Sequence, residues 1–138
     1  MSAKDFFHNA VRLALEKDGW LITDAPLRFI IDNIEFRLDL GEERLLTAEK
    51  EGEKIAVEIK SFLGSSPISE FHTALGQTLN YRTILRKEAP ERILYLAISY
   101  EIYTTFFMIP VIQDIIAEHK LKLLIFETAK EEIVLWKE

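Results

Sequence analysis

The chain has 138 residues, which corresponds to one domain at about 100–200 residues each. Its composition is 49% hydrophobic, and that fraction excludes an intrinsically disordered protein. With 17 Lys and Arg against 23 Asp and Glu, the net charge of −6 argues against a protein that coats nucleic acid through bulk positive charge.

The first periodic segment predicts an amphipathic helix from Asp5 to Asp18, because its apolar residues recur at spacings of three and four. Ser2 would cap the start of this helix, and Gly19 would end it. Short segments rich in β-branched and aromatic residues follow, and they predict strands at residues 20–23, 27–31 and 34–38.

Two longer strands are predicted at residues 45–51 and 54–62, joined by a hairpin turn at Glu51-Gly52-Glu53. A helix should then begin with Ser66 as N-cap and Pro67 at its first position, and run to about Lys87. The remaining predicted elements are a strand at 92–99, a helix at 111–119, and strands at 121–126 and 133–136. This order indicates an α/β (α+β) domain, 1–138, in which a mixed β-sheet is flanked by helices.

The absence of cysteine excludes disulfides, thiolate metal sites and cysteine nucleophiles. The N-terminus shows no apolar signal segment, and no stretch approaches the ~18 uninterrupted apolar residues of a membrane span. We therefore expect a cytoplasmic protein that has no contact with the membrane.

Alternation along residues 54–60 places Glu58 and Lys60 on the same face of a strand. A carboxylate, one spacer and a lysine suit phosphodiester hydrolysis, because the carboxylate can hold a divalent cation while the lysine orients or deprotonates the attacking water. Asp39, at the end of another apolar run, is the candidate for a second carboxylate. The plainer alternative is a solvated ion pair worth about 0–1 kcal/mol, and the spacing alone favours that alternative.

Two predicted helices carry further polar candidates. Gln77 and Tyr81 lie four residues apart, so they could face an active site or equally support one another at the core boundary. His8 could approach the same edge as a neutral imidazole ligand, although a lone histidine is more often a surface residue.

The densest basic stretch of the chain contains Arg82, Arg86, Lys87 and Arg92. Two glutamates dilute it, which is typical of an ordinary helix surface. Contact with phosphate is the less common alternative.

Several separated blocks of the sequence agree, in order, with one known family. The agreement begins with His8 in the first helix. The later blocks are Asp18-Gly19-Trp20, Asp39-Leu40-Gly41, Ala48-Glu49-Lys50, residues 55–62, residues 74–77 with Tyr81, and residues 94–99. Together they resemble the XisH family, the fdxN-element excision controlling factors of cyanobacteria. The resemblance covers nearly the whole chain.

The XisH family is similar to restriction-endonuclease-like PD-(D/E)xK proteins, including archaeal Holliday-junction resolvases. The resemblance therefore implies a restriction-endonuclease-like core, with Asp39 as the metal aspartate and Glu58 and Lys60 as the Glu-x-Lys pair. It also implies that Gln77 and Tyr81 form a helix motif like that of RecB-type nucleases.

The same resemblance implies a metal, Mg²⁺ with Mn²⁺ as a substitute. Its ligands would be Asp39, Glu58 and the backbone carbonyl of Ile59, with His8 as a further candidate. The chain departs from the motif at two places: Leu38 stands where the motif has proline, and His8 stands where junction resolvases tend to place a glutamate.

The family implies a role in excising a DNA element during differentiation of the heterocyst. DNA and a small XisI-type protein would be partners, and a homo-oligomer stays open. One hypothesis is a metal-dependent endodeoxyribonuclease. The other is a non-catalytic regulatory protein on a nuclease fold that acts through the XisI-type protein, with an interface formed by aromatic residues if they are not core: Tyr100, Tyr103, Phe106 and Phe107.

Overall fold

A computed structural model describes residues 3–23, 28–37 and 45–138 of the protein. Within these ranges the helices are α1 Ala3–Lys17, α2 Pro67–Glu88, α3 Tyr100–Thr104 and α4 Pro110–His119, with a 3₁₀ turn at Phe106–Met108. The strands are β1 Leu21–Ile22, β2 Arg28–Ile31, β3 Ile34–Arg37, β4 Leu45–Lys50, β5 Glu53–Ile59, β6 Arg92–Ser99, β7 Leu123–Glu127 and β8 Glu132–Lys137.

Six of the strands form one mixed sheet in the order β1-β4-β5-β6-β7-β8. Strands β5, β6 and β7 are parallel neighbours, whereas the outer strands pair antiparallel. Parallel pairing needs crossover connections, which α2 provides between β5 and β6, and α3 with α4 between β6 and β7. The prediction of a mixed sheet flanked by helices is confirmed.

The sheet is covered on both faces because its central strands are apolar on both sides. One face, with Val57, Ala97 and Leu124, packs against Val11 and Leu15 of α1. The opposite face, with Leu96 and Leu123, packs under α2 and α4. Glu58 belongs to this second face, because side chains alternate along β5 and Val57 points to the first.

Residues in the left-handed backbone region mark the predicted turns. Gly19, with φ +93°, follows α1, and Glu51 and Gly52, with φ of 51° and 85°, close the tight hairpin between β4 and β5. Ser66 caps α2 as predicted, since its side chain accepts a hydrogen bond from the Ser69 backbone amide. Ser2, the predicted cap of α1, lies outside the described residues.

Besides shifts of one or two residues at the ends of several elements, the structure differs from the prediction at two places. Strand β5 ends at Ile59 rather than Phe62, because Phe62 adopts φ +54° and turns its ring into the core against Phe107. Helix α3 and the 3₁₀ turn were not predicted, since five and three residues are too short for a visible helical period.

Candidate functional site

Glu58 and Lys60 lie side by side at the carboxyl end of β5. The Glu58 Oε1 and Lys60 Nζ atoms are 3.6 Å apart, and the two side chains are only 6% and 12% exposed. The backbone holds Lys60 in place, because its amide donates to the Ala97 carbonyl of the neighbouring strand at 3.1 Å. The alternation therefore placed the two residues correctly on one face, but their setting is a buried ion pair rather than the solvated pair of the plainer alternative.

Thr78 of α2 completes this group from across the helix–sheet interface. Its hydroxyl donates to Glu58 Oε2 at 2.9 Å, and the residue is 3% exposed. Sequence reasoning did not single out Thr78 and so missed this role. The sequence does contain a signal for this role. A threonine within an otherwise apolar helix face needs a hydrogen-bond partner when it is buried, and the acid of the neighbouring strand can provide one.

Gln77 and Tyr81 lie next to Thr78 on the same helix. The Gln77 side-chain oxygen is buried. Tyr81 is half-buried and packs against a cluster that includes Leu45 and Ala56, and Ala56 shares the face of β5 that carries Glu58. Their support of a reaction stays a prediction.

Asp39 lies outside the described residues. Leu45, the first described residue after it, pairs directly with Glu58 in the antiparallel β4–β5 ladder. Asp39 precedes Leu45 by six residues. Its role as the second carboxylate also stays a prediction.

His8 is half-buried on α1. Helix α1 covers the face of the sheet opposite to Glu58. Phe7, the preceding residue, contacts Phe126 at the carboxyl end of β7, with ring centroids 6.1 Å apart. This end of α1 thus lies at the edge of the sheet where the parallel strands end, which is compatible with the prediction of His8 as a ligand without testing it.

The donor set for a metal is incomplete within residues 3–23, 28–37 and 45–138. These ranges contain no group of three or more His, Cys, Asp or Glu residues placed to hold a metal ion. Glu58 and the Ile59 carbonyl are oxygen donors, the kind that Mg²⁺ prefers. A magnesium site on this edge would therefore need a further donor from outside the described residues, which is the predicted role of Asp39.

The aromatic residues after β6 divide between core and surface. Phe107 is fully buried and stacks edge-on against Phe62 and Phe71, and Phe106 packs on the same cluster. Tyr100, in contrast, is 46% exposed. An interface in this region can use Tyr100, whereas Phe107 is part of the core.

No helix in the described part of the chain combines the length and the apolar character that crossing a bilayer requires.

Comparison with known proteins shows to which family the chain belongs. The model of the XisH protein family matches residues 1–134. This chain belongs to the XisH family. A crystal structure of an XisH family protein from Nostoc punctiforme PCC 73102 is 50% identical, covers 97% of this chain and 100% of its own, and superposes with a TM-score of 0.88.

A second XisH family structure is that of an fdxN element excision controlling factor protein from Anabaena variabilis. It is 47% identical to this chain, with 97% of this chain and 99% of that chain covered, and the TM-score is 0.88. Among curated proteins, none matches this chain.

Proposed function

We propose that this protein is a DNA-element excision controlling factor and that its Glu58 and Lys60 form part of a nuclease-like site of the PD-(D/E)xK kind. The family supports the first part, because the Anabaena variabilis relative with 47% identity is an fdxN element excision controlling factor protein. The observation that carries the second part is the Glu58–Lys60 contact of 3.6 Å at the carboxyl end of β5.

The metal of such a site would be Mg²⁺, with Mn²⁺ as a substitute. Glu58, the Ile59 carbonyl and Asp39 would hold it, and these oxygen donors suit Mg²⁺ in kind. When bound, the metal supplies Lewis-acid activation of a phosphodiester and of water.

The protein's own side chains would orient the reactants. Lys60 carries an ammonium group with three donors, so it can hold a water molecule or a phosphate oxygen beside Glu58. The Thr78 hydroxyl occupies one carboxylate oxygen of Glu58 and so restricts the rotation of that carboxylate. Gln77 and Tyr81 would support this geometry from α2.

Cleavage assays test the proposal directly. Purified protein, alone and with an XisI-type protein, is incubated with duplex, branched and single-stranded DNA plus Mg²⁺ or Mn²⁺. We expect metal-dependent cleavage that is lost in Glu58→Gln, which keeps the size of the side chain and an acceptor for Thr78, and in Lys60→Ala.

Lys54→Ala is the matched control for the cleavage assay. Lys54 is a lysine of the same strand, but it is 42% exposed and pairs with Glu49 instead, at 3.8 Å. Cleavage by Lys54→Ala at the wild-type rate, with folding of every variant verified by circular dichroism, would assign the activity to Glu58 and Lys60. Absence of cleavage on all substrates refutes catalysis. Cleavage unchanged in Lys60→Ala refutes the assignment of the activity to this site.

A second candidate function is a non-catalytic regulatory protein on a nuclease fold, acting through an XisI-type protein. The observation that favours it is the enclosure of the pair, since Glu58 is only 6% exposed and Lys60 only 12%. A substrate phosphate could reach the enclosed pair only if the protein around it opened. A protein that acts through its surface does not require such an opening.

Co-purification with an XisI-type protein tests this second candidate. Tyr100→Glu changes an exposed aromatic residue and should abolish co-purification without unfolding the chain. The control is Ile30→Glu, because Ile30 is also exposed but belongs to the separate β2–β3 hairpin. Equal co-purification of the wild type and both variants would place the interface elsewhere.

A further inference from the structure

A groove lies between α2 and α4 at the amino ends of β6 and β7. Its volume is about 710 Å³. Its cationic lining side chains are Arg82, Arg86, Arg92, Lys120, Lys122 and Lys137. Apolar side chains also line it, among them Leu85, Leu94, Ile116 and Leu121, all of them buried. We call this feature the cationic groove.

The charge of the cationic groove is opposite to that of the chain. Six cationic side chains line it, and among the described residues the carboxylate in the lining is that of Glu138 alone. The chain as a whole carries a net charge of −6. Concentrating positive charge in one concavity of an acidic protein creates a local field that attracts anions despite the net charge.

Three of the six cations have structural partners. Arg82 donates to the two carbonyls at the end of α4 at 2.7 and 3.3 Å, and Arg92 donates to the Ile55 carbonyl at 2.9 Å. Lys137 lies over the Tyr103 ring and donates to its hydroxyl at 3.4 Å. Contacts within the fold therefore explain why these three cations lie where they do.

The other three are Arg86, Lys120 and Lys122. Within residues 3–23, 28–37 and 45–138, no carboxylate lies within 4.0 Å of their charged groups. Arg86 also acts on a neighbour: burial, and secondarily the like charge of Arg86, lower the pKa of the Arg82 guanidinium. A bound anion would relieve this repulsion.

We infer that the cationic groove binds a nucleoside phosphate, with the phosphate at Arg86, Lys120 and Lys122 and the base on the apolar side chains. The groove volume falls within the range of about 300–1,000 Å³ that is typical of small-ligand sites. An apolar floor next to a cationic rim matches a ligand that is flat and apolar at one end and anionic at the other. Arginine is well suited to such a rim, because its guanidinium can hold phosphate through two hydrogen bonds.

The inference does not depend on hydrolysis, so it goes beyond the proposed function. Thr78, which donates to Glu58, also lines the groove. A nucleoside phosphate has two sources, a free nucleotide and a unit of a single strand of nucleic acid. Both present the same chemistry to the groove.

Fluorescence anisotropy tests the inference in the presence of EDTA, which prevents metal-dependent cleavage. The probes are an N-methylanthraniloyl derivative of dATP and a fluorescein-labelled oligothymidylate. Binding of the first alone identifies a free nucleotide, binding of the second alone identifies a strand, and either supports the site. We expect Arg86→Glu and Lys122→Glu each to lower the affinity for the probe that binds by about tenfold.

Lys87→Glu is the matched control, because Lys87 is the neighbour of Arg86 in the last turn of α2, is also exposed and does not line the groove. It changes the net charge by the same amount and should alter affinity by less than about twofold. The site is refuted if neither probe binds, or if Arg86→Glu and Lys87→Glu weaken binding equally. Competition by inorganic pyrophosphate as effective as that by the nucleotide refutes recognition of the base.

Discussion

Helix α2 takes part in two charged regions that are built in opposite ways. Its Thr78 contacts the Glu58–Lys60 pair, in which a carboxylate and an ammonium lie 3.6 Å apart and are almost completely enclosed. About one and two turns further along, Arg82 and Arg86 line the cationic groove together with four other cationic side chains. Among the described residues, the first region balances one carboxylate against one ammonium, whereas the second carries a surplus of positive charge.

Burial explains the difference. A charge removed from water must be paired and hydrogen-bonded, or its desolvation costs several kcal/mol, so the enclosed region contains both signs and a hydroxyl donor. Arg86 and Lys120 are exposed, and water solvates them without an acidic partner. Surplus charge thus remains only where solvent reaches, which is also where a ligand can reach it.

The largest expected effect comes from separating the enclosed pair. Lys60→Met leaves the Glu58 carboxylate buried without its cation, so we expect the free energy of unfolding to fall by about 3–5 kcal/mol. Urea denaturation at neutral pH measures the change. The double variant Glu58→Leu, Lys60→Met should lose less than Lys60→Met alone. A loss below about 1 kcal/mol in the single variant would show that the pair behaves as a solvated one.

Removing the hydroxyl of Thr78 tests the third member of the enclosed group. Thr78→Val keeps the shape of the side chain but leaves the Glu58 carboxylate without this donor, so stability should fall by about 1–3 kcal/mol. Thr83→Val is the control, because Thr83 is an exposed threonine of α2 whose hydroxyl bonds only to the backbone of its own helix. An equal effect in both variants would contradict a specific role for Thr78.

In the cationic groove, the two arginines of α2 should separate stability from binding. Arg82→Met removes the donor to the last carbonyls of α4 and should lower the free energy of unfolding by about 1–2 kcal/mol. Arg86→Met should change it by less than about 0.5 kcal/mol, since Arg86 is exposed. Thermal and urea denaturation of both variants measure this. A reversed order would mean that Arg86, not Arg82, supports the fold.

The smallest effect concerns Tyr95, whose hydroxyl donates to the carboxylate of Glu138 in the groove lining. Burial, followed by this hydrogen bond, raises the pKa of Tyr95 above its ordinary value of 10.0. A raised pKa means that folding favours the neutral phenol, so its contribution to stability is complete below pH 10.0 and is lost as the pH rises above that value.

Tyr95→Phe should therefore lower the free energy of unfolding by about 0.5–1.5 kcal/mol at neutral pH. The difference from wild type should shrink in alkaline solution, because only the wild type loses the contribution of this phenol. Urea denaturation on both sides of pH 10.0 provides the comparison. A difference that is constant with pH would contradict a raised pKa of Tyr95.

Much of the fold could be predicted from local patterns. The alternation of β5 put Glu58 and Lys60 on one face, and Ser66 with Pro67 marked the start of α2, because strand periodicity and helix capping depend on residues close in sequence. Strand β6 was predicted with the bounds at which it occurs, Arg92–Ser99. The sequence by itself thus determined the order of the longer elements, the mixed sheet and the shared face of the acidic and basic residues.

Only the tertiary structure decided how these residues are surrounded. It enclosed the Glu58–Lys60 pair and supplied Thr78, twenty positions after Glu58, as a partner. It also gathered the groove cations from α2, from the turn between α4 and β7, and from strands β6 and β8, so that no local pattern shows the groove. The physical reason is that burial and the pairing of charges depend on contacts between distant segments, which periodicity cannot report.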